Sequence, residues 1–340
     1  MKFFLITVLL ACISSSYAQI NIGKSKSPIN LYVSKHKQRV FDKVKGTETV
    51  FLIPKELNEV NSEKFKDIVQ NVWTFNNPIF ITEKQYEESK ESYITTNNSI
   101  VSLVNNGFLL QKILGDRSIK YVEAGEHATY VVYKFMMTSD FKKIRKDKKD
   151  RLRYDFTNIG EIFFTPSIKY RKRISGKITI EKETRSTRGN EEPDFYNFDF
   201  GYIKNYFQEL NRRLSNSENL VIEDGIKKED KIKELKEKTL YAPKWILKKY
   251  NALAATWGKT RTAEDIFGKY NHKYEIIDNE ELSNKIINGE DFYYLMHTQF
   301  NQKKIISIIH SLTGEIIYLK EEGSYNLTDS DIKGFAKIIK

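Results

Sequence analysis

Apolar residues along this chain recur at two spacings, and the clearest succession of the two lies at its end. Over residues 274–340 the pattern reads strand, helix, three-stranded meander, helix. Tyr274, Ile276 and Ile277 open a strand; Asn279 is placed to cap a helix that reaches Ile287, and Asn288-Gly289 ends it. Strands are predicted over 292–298, 304–310 and 316–319, with turns at Asn301-Gln302 and Thr313-Gly314-Glu315. Thr328 with Asp331 three residues on makes a capping-box start for a last helix, whose apolar face is Ile332, Phe335, Ala336 and Ile339.

The earlier chain repeats this order less crisply. Thr49 to Ile53 is a buried-type strand stopped by Pro54. Ser62 is placed to cap a helix over 63–73, with Phe65, Ile68, Val69, Val72 and Trp73 on one face. A strand at 79–81, a short polar helix at 83–90 and short strands within 93–124 follow. Strands are then predicted at 129–135, 154–165 and 167–181, and an amphipathic helix at 199–214 that aligns Tyr202, Ile203, Tyr206, Phe207 and Leu210. A helix over 244–253 and a short one over 264–270 open the second half. The shared order admits a tandem repeat; an ordinary α/β alternation that matches by chance is the other explanation.

The fold expected is α+β (α/β), in two domains. Each is a small mixed sheet with a three-stranded antiparallel meander packed by helices. The boundaries read as signal peptide 1–18, N-terminal arm 19–46 with one short strand at 30–33, first domain 47–217, charged linker helix 218–238 and second domain 239–340.

The leading residues change the picture of where such a fold works. Lys2, an apolar run from Phe3 to Ile13 and Ser16-Tyr17-Ala18 make an export signal with a cleavage site. The run is shorter than the roughly 20 residues that span a bilayer about 30 Å thick. A periplasmic or secreted protein is expected. Leu9-Leu10-Ala11-Cys12 supplies the alternative of a lipoprotein anchored through Cys12. Cys12 is the only cysteine, so a chain cleaved after Ala18 has no disulfide and no thiol chemistry. With 340 residues the chain is long enough for two cores without such staples.

Charge adds a partner class. Lys and Arg number 56 against 45 Asp and Glu, a net charge of +11. That suits an anionic envelope glycan or lipid, and equally a solvated surface. The sharpest basic feature is a pair of segments: Lys142, Lys143, Arg145, Lys146, Lys148 and Lys149 in the first, Arg171, Lys172 and Arg173 in the second. Both are placed in connections between meander strands, where they would form one positive patch. Nucleic acid is not expected as a partner of an exported chain.

Catalytic patterns do not emerge. Five histidines are present, at 36, 127, 272, 297 and 310. Pairing across Asn301-Gln302 sets His297 opposite Ile306 and Tyr293 opposite His310. The two histidines then stand roughly 13 Å apart at about 3.4 Å per residue, too far to share a metal. No Gly-x-Ser-x-Gly elbow and no phosphate-loop signature occurs; Gly258-Lys259-Thr260 lacks the leading glycine. No catalytic residue, metal or cofactor is therefore assigned. Binding or assembly with an envelope protein, glycan or lipid is the leading function; a hydrolase assembled around His127 or His297 and charge-driven binding of an anionic lipid or glycan are the alternatives.

Tyr274-Glu275-Ile276-Ile277-Asp278 before a helix, a strand after Gly289, and the closing Thr313-Gly314-Glu315-Ile316-Ile317 carry a resemblance. Residues 272–340 resemble the α/β half-domain of the TolB amino-terminal domain and of the curli-secretion-channel (CsgG-type) family. Those families bind and assemble, so the resemblance implies no catalytic residue. Gly201-Tyr202-Ile203-Lys204-Asn205-Tyr206 together with the closing Thr-Gly-Glu segment is similar to uncharacterised exported proteins of Gram-negative bacteria, which implies location alone.

Overall fold

The computed structural model describes residues 20–25, 33–55, 57–108, 111–113, 119–121, 130–146, 152–167, 170, 193–251, 256–257, 259–300, 303–324 and 326–339. The runs of β-branched and aromatic residues pair into two six-stranded mixed sheets. Across the first, the strands lie in the order Ile20–Ile22, Leu152–Phe164, Tyr130–Lys146, Asn98–Phe108, Glu48–Ile53, Pro78–Thr82. Across the second the order is Ile226–Lys227, Ile316–Gly323, Lys303–His310, Tyr293–Phe300, Leu240–Pro243, Tyr274–Ile277. In both, the first three pairings are antiparallel and the last two parallel. Strand for strand, the second sheet repeats the topology of the first. The architecture is α+β with two sheet-based bodies, as the pattern of the chain predicts.

The helix Phe200–Ser215 ties the bodies together. It packs on the helix Glu59–Val72 of the first half and on the helix Asn279–Ile287 of the second. Phe207 meets Phe51, Phe65, Trp73 and Phe135, with ring centroids 5.5–6.3 Å apart. Towards the second half, Tyr202 Oη donates to Asn279 Oδ1 at 2.7 Å, and Asn205 Nδ2 donates to the Ser311 carbonyl at 2.8 Å. Backbones touch here. A Cβ on Gly201 would lie 2.4 Å from the Ser283 carbonyl oxygen, and one on Gly314 (φ +68°) 2.3 Å from that of Asn205. One continuous apolar cluster therefore runs from Ile20 to Ile339.

Several elements differ from the sequence expectation. The N-terminal segment 19–46 is partly built into the first body, and of the strand expected at 30–33 only Val33, in the strand Val33–Ser34, falls among the described residues. Ile20–Ile22 closes the edge of the first sheet against residues 160–162, and the helix Gln38–Lys45 buries Phe41 and Val44. The segment 218–238 is not a solvated linker helix. Ile226–Lys227 pairs with the second sheet, and Ile232 and Leu235 are fully buried beneath a short helix and a 3-10 turn. Buried Leu220, Val221, Ile222, Ile232 and Leu235 fasten this strongly charged segment, and its half-buried Lys228 and Glu234 bond Glu315 and Tyr293 of the second body. The helix beginning near Ser62 starts at Glu59, capped by Asn58. The segment 244–253 makes only a 3-10 turn, Lys244–Leu247, before the short strand Tyr250–Asn251. Asn279 does not cap its helix; its side chain reaches across to Tyr196 and Asp199.

The first meander is displaced by one strand from its predicted place. Its members are Asn98–Phe108, Tyr130–Lys146 and Leu152–Phe164. Turn-rich sequence at Asn105-Asn106-Gly107 runs inside a strand, because ladder bonds to residues 131–133 override the local turn preference. The strand expected at 167–181 falls largely outside the described residues. The signal peptide does so wholly. Among the described residues no helix is long and apolar enough to cross a membrane.

Candidate functional site

Strand pairing decides what becomes of the first basic segment. It is not a connection: the strand continues through Lys146 and its partner resumes at Leu152. Lys142 lies opposite Asp155, Lys143 opposite Tyr154, Arg145 opposite Arg153 and Lys146 opposite Leu152. Pairing with Asn98–Phe108 ends at Thr138, so residues 139–146 and 152–157 continue as a two-stranded ribbon.

A bulge sets the base of the ribbon. Ser139 pairs with Thr157 and Lys142 with Asp155, so Asp140 and Phe141 together oppose Phe156. Asp140 takes the left-handed backbone, φ +57°. The bulge sends Phe141 to one face of the sheet and keeps Ser139, Asp140 and Lys142 on the other.

On that other face lies a cleft of about 640 Å³ between the ribbon base and the helix Gln38–Lys45. Lys35, Lys37, Arg39 and Lys43 line it from the N-terminal side and Lys142 from the ribbon; among the described residues of the lining Asp140 is the sole carboxylate. Asp140 bonds Lys43 and lies 3.9 Å from Lys142. Lys35 is 2.8 Å from Asp224. Lys37 and Arg39 are exposed and have no ion-pair partner among the described residues. Arg39 and Lys43, four apart on one helix face, repel each other at a cost of about 0.2–0.5 kcal/mol. Beneath them His36 is buried, its Nε2 3.1 Å from the Ile159 carbonyl and its backbone N–H donating to Asn219 Oδ1 at 2.6 Å. Ser139 is fully buried. The cleft has a buried polar floor and an exposed cationic rim.

Of the nine basic residues singled out from sequence, Lys142 lines this cleft. Lys143, Arg145 and Lys146 continue along its ribbon, while Lys148, Lys149, Arg171, Lys172 and Arg173 lie outside the described residues. The residues missed were Lys35, Lys37, Arg39 and Lys43. Their signal was present in the run Ser34-Lys35-His36-Lys37-Gln38-Arg39, discounted as part of an arm.

The histidines offer a weaker case for chemistry. His297 is buried and stacks on Trp245, centroids 5.5 Å apart, and His127 lies outside the described residues. A histidine does stand beside a carboxylate, but it is His310. Its Nε2 is 2.7 Å from Asp291 Oδ1 and its Nδ1 3.0 Å from Thr313 Oγ1. Hydrogen bonds from His310 and Lys238 hold the Asp291 carboxyl below its usual range. Thr313 Oγ1 also accepts the Glu315 N–H, so this chain of contacts braces the Thr-Gly-Glu turn. Among the described residues, no three His, Cys, Asp or Glu side chains are grouped to hold a metal ion. Comparison of the chain with protein-family models, curated proteins and solved structures found no match.

Proposed function

We propose that this protein acts by binding rather than by chemistry, and that its partner is an anionic glycan or lipid of the cell envelope. The carrying observation is the cleft with five cationic side chains against one carboxylate, two of those cations unpaired among the described residues. The basic ribbon extends the same charge outward from the rim. Export, read from the first eighteen residues, supports an envelope partner over nucleic acid. The TolB-like pattern of residues 272–340 supports binding and assembly as the mode of action.

The test uses the full chain on a heparin column and on phosphatidylglycerol vesicles. Retention at low ionic strength should collapse as the Debye length shortens from about 10 Å at 0.1 M salt to about 3 Å at 1 M. The triple variant Lys37→Glu, Arg39→Glu, Lys142→Glu should bind at least about tenfold more weakly while melting as the parent does. Unchanged retention of that variant would overturn the reading. Loss on vesicles alone identifies a lipid, and loss on heparin alone a glycan.

A further inference from the structure

The bulge that opens the basic cleft on one face of the first sheet opens a different cavity on the other. Alternation along Val50, Phe51 and Leu52 sends Phe51 into the main core and leaves Val50 and Leu52 in a separate small cluster with Ile81, Ile100 and Phe141. Between this cluster, the helix Glu83–Glu88 and the ribbon base lies a cavity of about 420 Å³. Leu52, Ile100 and Met136 contribute to its apolar lining. Its aromatic wall consists of Tyr86, Phe141, Tyr154 and Phe156, with the Phe141 and Phe156 rings 6.2 Å apart. Phe156 is 46% exposed, while most large apolar side chains among the described residues are not.

We propose that this cavity is a second binding site, and that it takes a compact apolar cation: an alkylated or aromatic ammonium. Two carboxylates, Glu83 and Glu87, line it against one ammonium, that of Lys90. Aromatic faces are electron-rich and attract cations, most strongly where water is partly excluded. The arrangement is already in use at the rim. Lys90 Nζ sits 5.3 Å from the centroid of the Tyr86 ring and 3.3 Å from Glu87 Oε1. Burial above all, then Glu87 and Tyr154, push the Tyr86 phenol up to about 12, so the ring that a cation would meet stays neutral. An anion would face both carboxylates at close range. Glu83 is 3.7 Å from Lys55 and Glu87 3.3 Å from Lys90, so a cation in the cavity would share carboxylates that a neutral apolar compound could not engage. The inference does not depend on the cleft across the sheet, and the two sites select opposite charges.

Isothermal titration of the full chain decides it with three probes of one shape: phenyltrimethylammonium, its uncharged isostere tert-butylbenzene, and benzenesulfonate. The cation should bind saturably and at least about tenfold more tightly than the isostere, with no binding of the sulfonate. Glu87→Gln should weaken the cation about fivefold and leave the isostere unchanged; Phe156→Ala should weaken both. Thermal melting followed by circular dichroism confirms that each variant folds, and both positions lie at the surface rim. Equal affinity for cation and isostere, no loss in Glu87→Gln, or no binding of the cation would each overturn the proposal.

Discussion

The two sheets share one topology and differ in how much chain they use. In the second, the paired strands Lys303–His310 and Ile316–Gly323 are eight residues each. Their counterparts in the first, Tyr130–Lys146 and Leu152–Phe164, are 17 and 13 residues long and carry three register shifts. The surplus is the ribbon, and both candidate sites sit at its base, one on each face. The frame recurs, while the length added to one copy supplies the ribbon base against which residues 35–43 close the cleft on one face and the helix Glu83–Glu88 the cavity on the other. A second contrast lies in the meander's middle strand, where each copy buries a lysine. Lys134 pairs with Glu161 of the neighbouring strand, and Glu161 also accepts from Asn21 and Asn158. Lys304 pairs with Asp331 of the closing helix, whose carboxylate also accepts the Thr328 N–H of the capping box.

Those buried pairs give the largest expected effect. Glu161→Gln and Asp331→Asn should each destabilise by about 3–5 kcal/mol, because a buried ammonium is left uncompensated. Replacing both partners in the first sheet, Lys134→Met with Glu161→Leu, should recover most of the loss. Urea unfolding measures all three. If the two single variants differ by much more than the cost of the lost cap, roughly 1 kcal/mol, the two lysines do not play matching parts.

The junction between the copies comes next. Gly314→Ala should cost about 3 kcal/mol, since its Cβ would press on the Asn205 carbonyl and its backbone is left-handed. Gly160→Ala, inside the first copy, meets its nearest atom only at 3.0 Å and should cost about 1 kcal/mol. Chemical denaturation that ranked them in reverse would show that the copies are held less tightly to each other than internally.

A pH dependence at the same junction comes last, because it acts only within a narrow window. Burial and the neighbouring Glu280 raise the Asp199 carboxyl from 3.8 to about 6. The folded chain then holds a proton that the unfolded chain has lost between those two values. Stability from this group is therefore present at low pH and falls as pH rises from about 4 to about 6, by at most about 3 kcal/mol. Asp199→Asn should flatten that slope, which melting temperatures across the window would record. An unchanged slope would place the titration elsewhere.

Much of the second copy was legible along the chain because its signals are local. The hairpin register, with His297 opposite Ile306 and Tyr293 opposite His310, follows from a tight turn. The Thr328–Asp331 capping box and the end of the preceding helix at Gly289 are likewise written in neighbouring residues. The first copy was read less well. Its strand at Asn98–Phe108 carries turn-forming residues, and its basic ribbon has no apolar alternation of the kind that marks a half-buried strand. Lys142 was legible as part of a charge cluster; Lys35, Lys37, Arg39 and Lys43 were not, because they lie about a hundred residues away in sequence. The aromatic cavity left no signature at all: Tyr86, Phe141 and Phe156 are ordinary residues until a bulge turns Phe141 outward.

By itself the sequence determined that the chain builds α+β sheets with helices between them, that a second copy of the strand order was in prospect, and that no familiar catalytic motif is present. Period, caps and turns act over a few residues, so they can be read in one dimension. Only the tertiary structure decided that the strand order recurs strand for strand, that the helix Phe200–Ser215 joins both cores, and that a cationic cleft and an aromatic cavity share one ribbon. These depend on pairing partners far apart along the chain and on one left-handed residue, Asp140, whose conformation is set by its opposite strand.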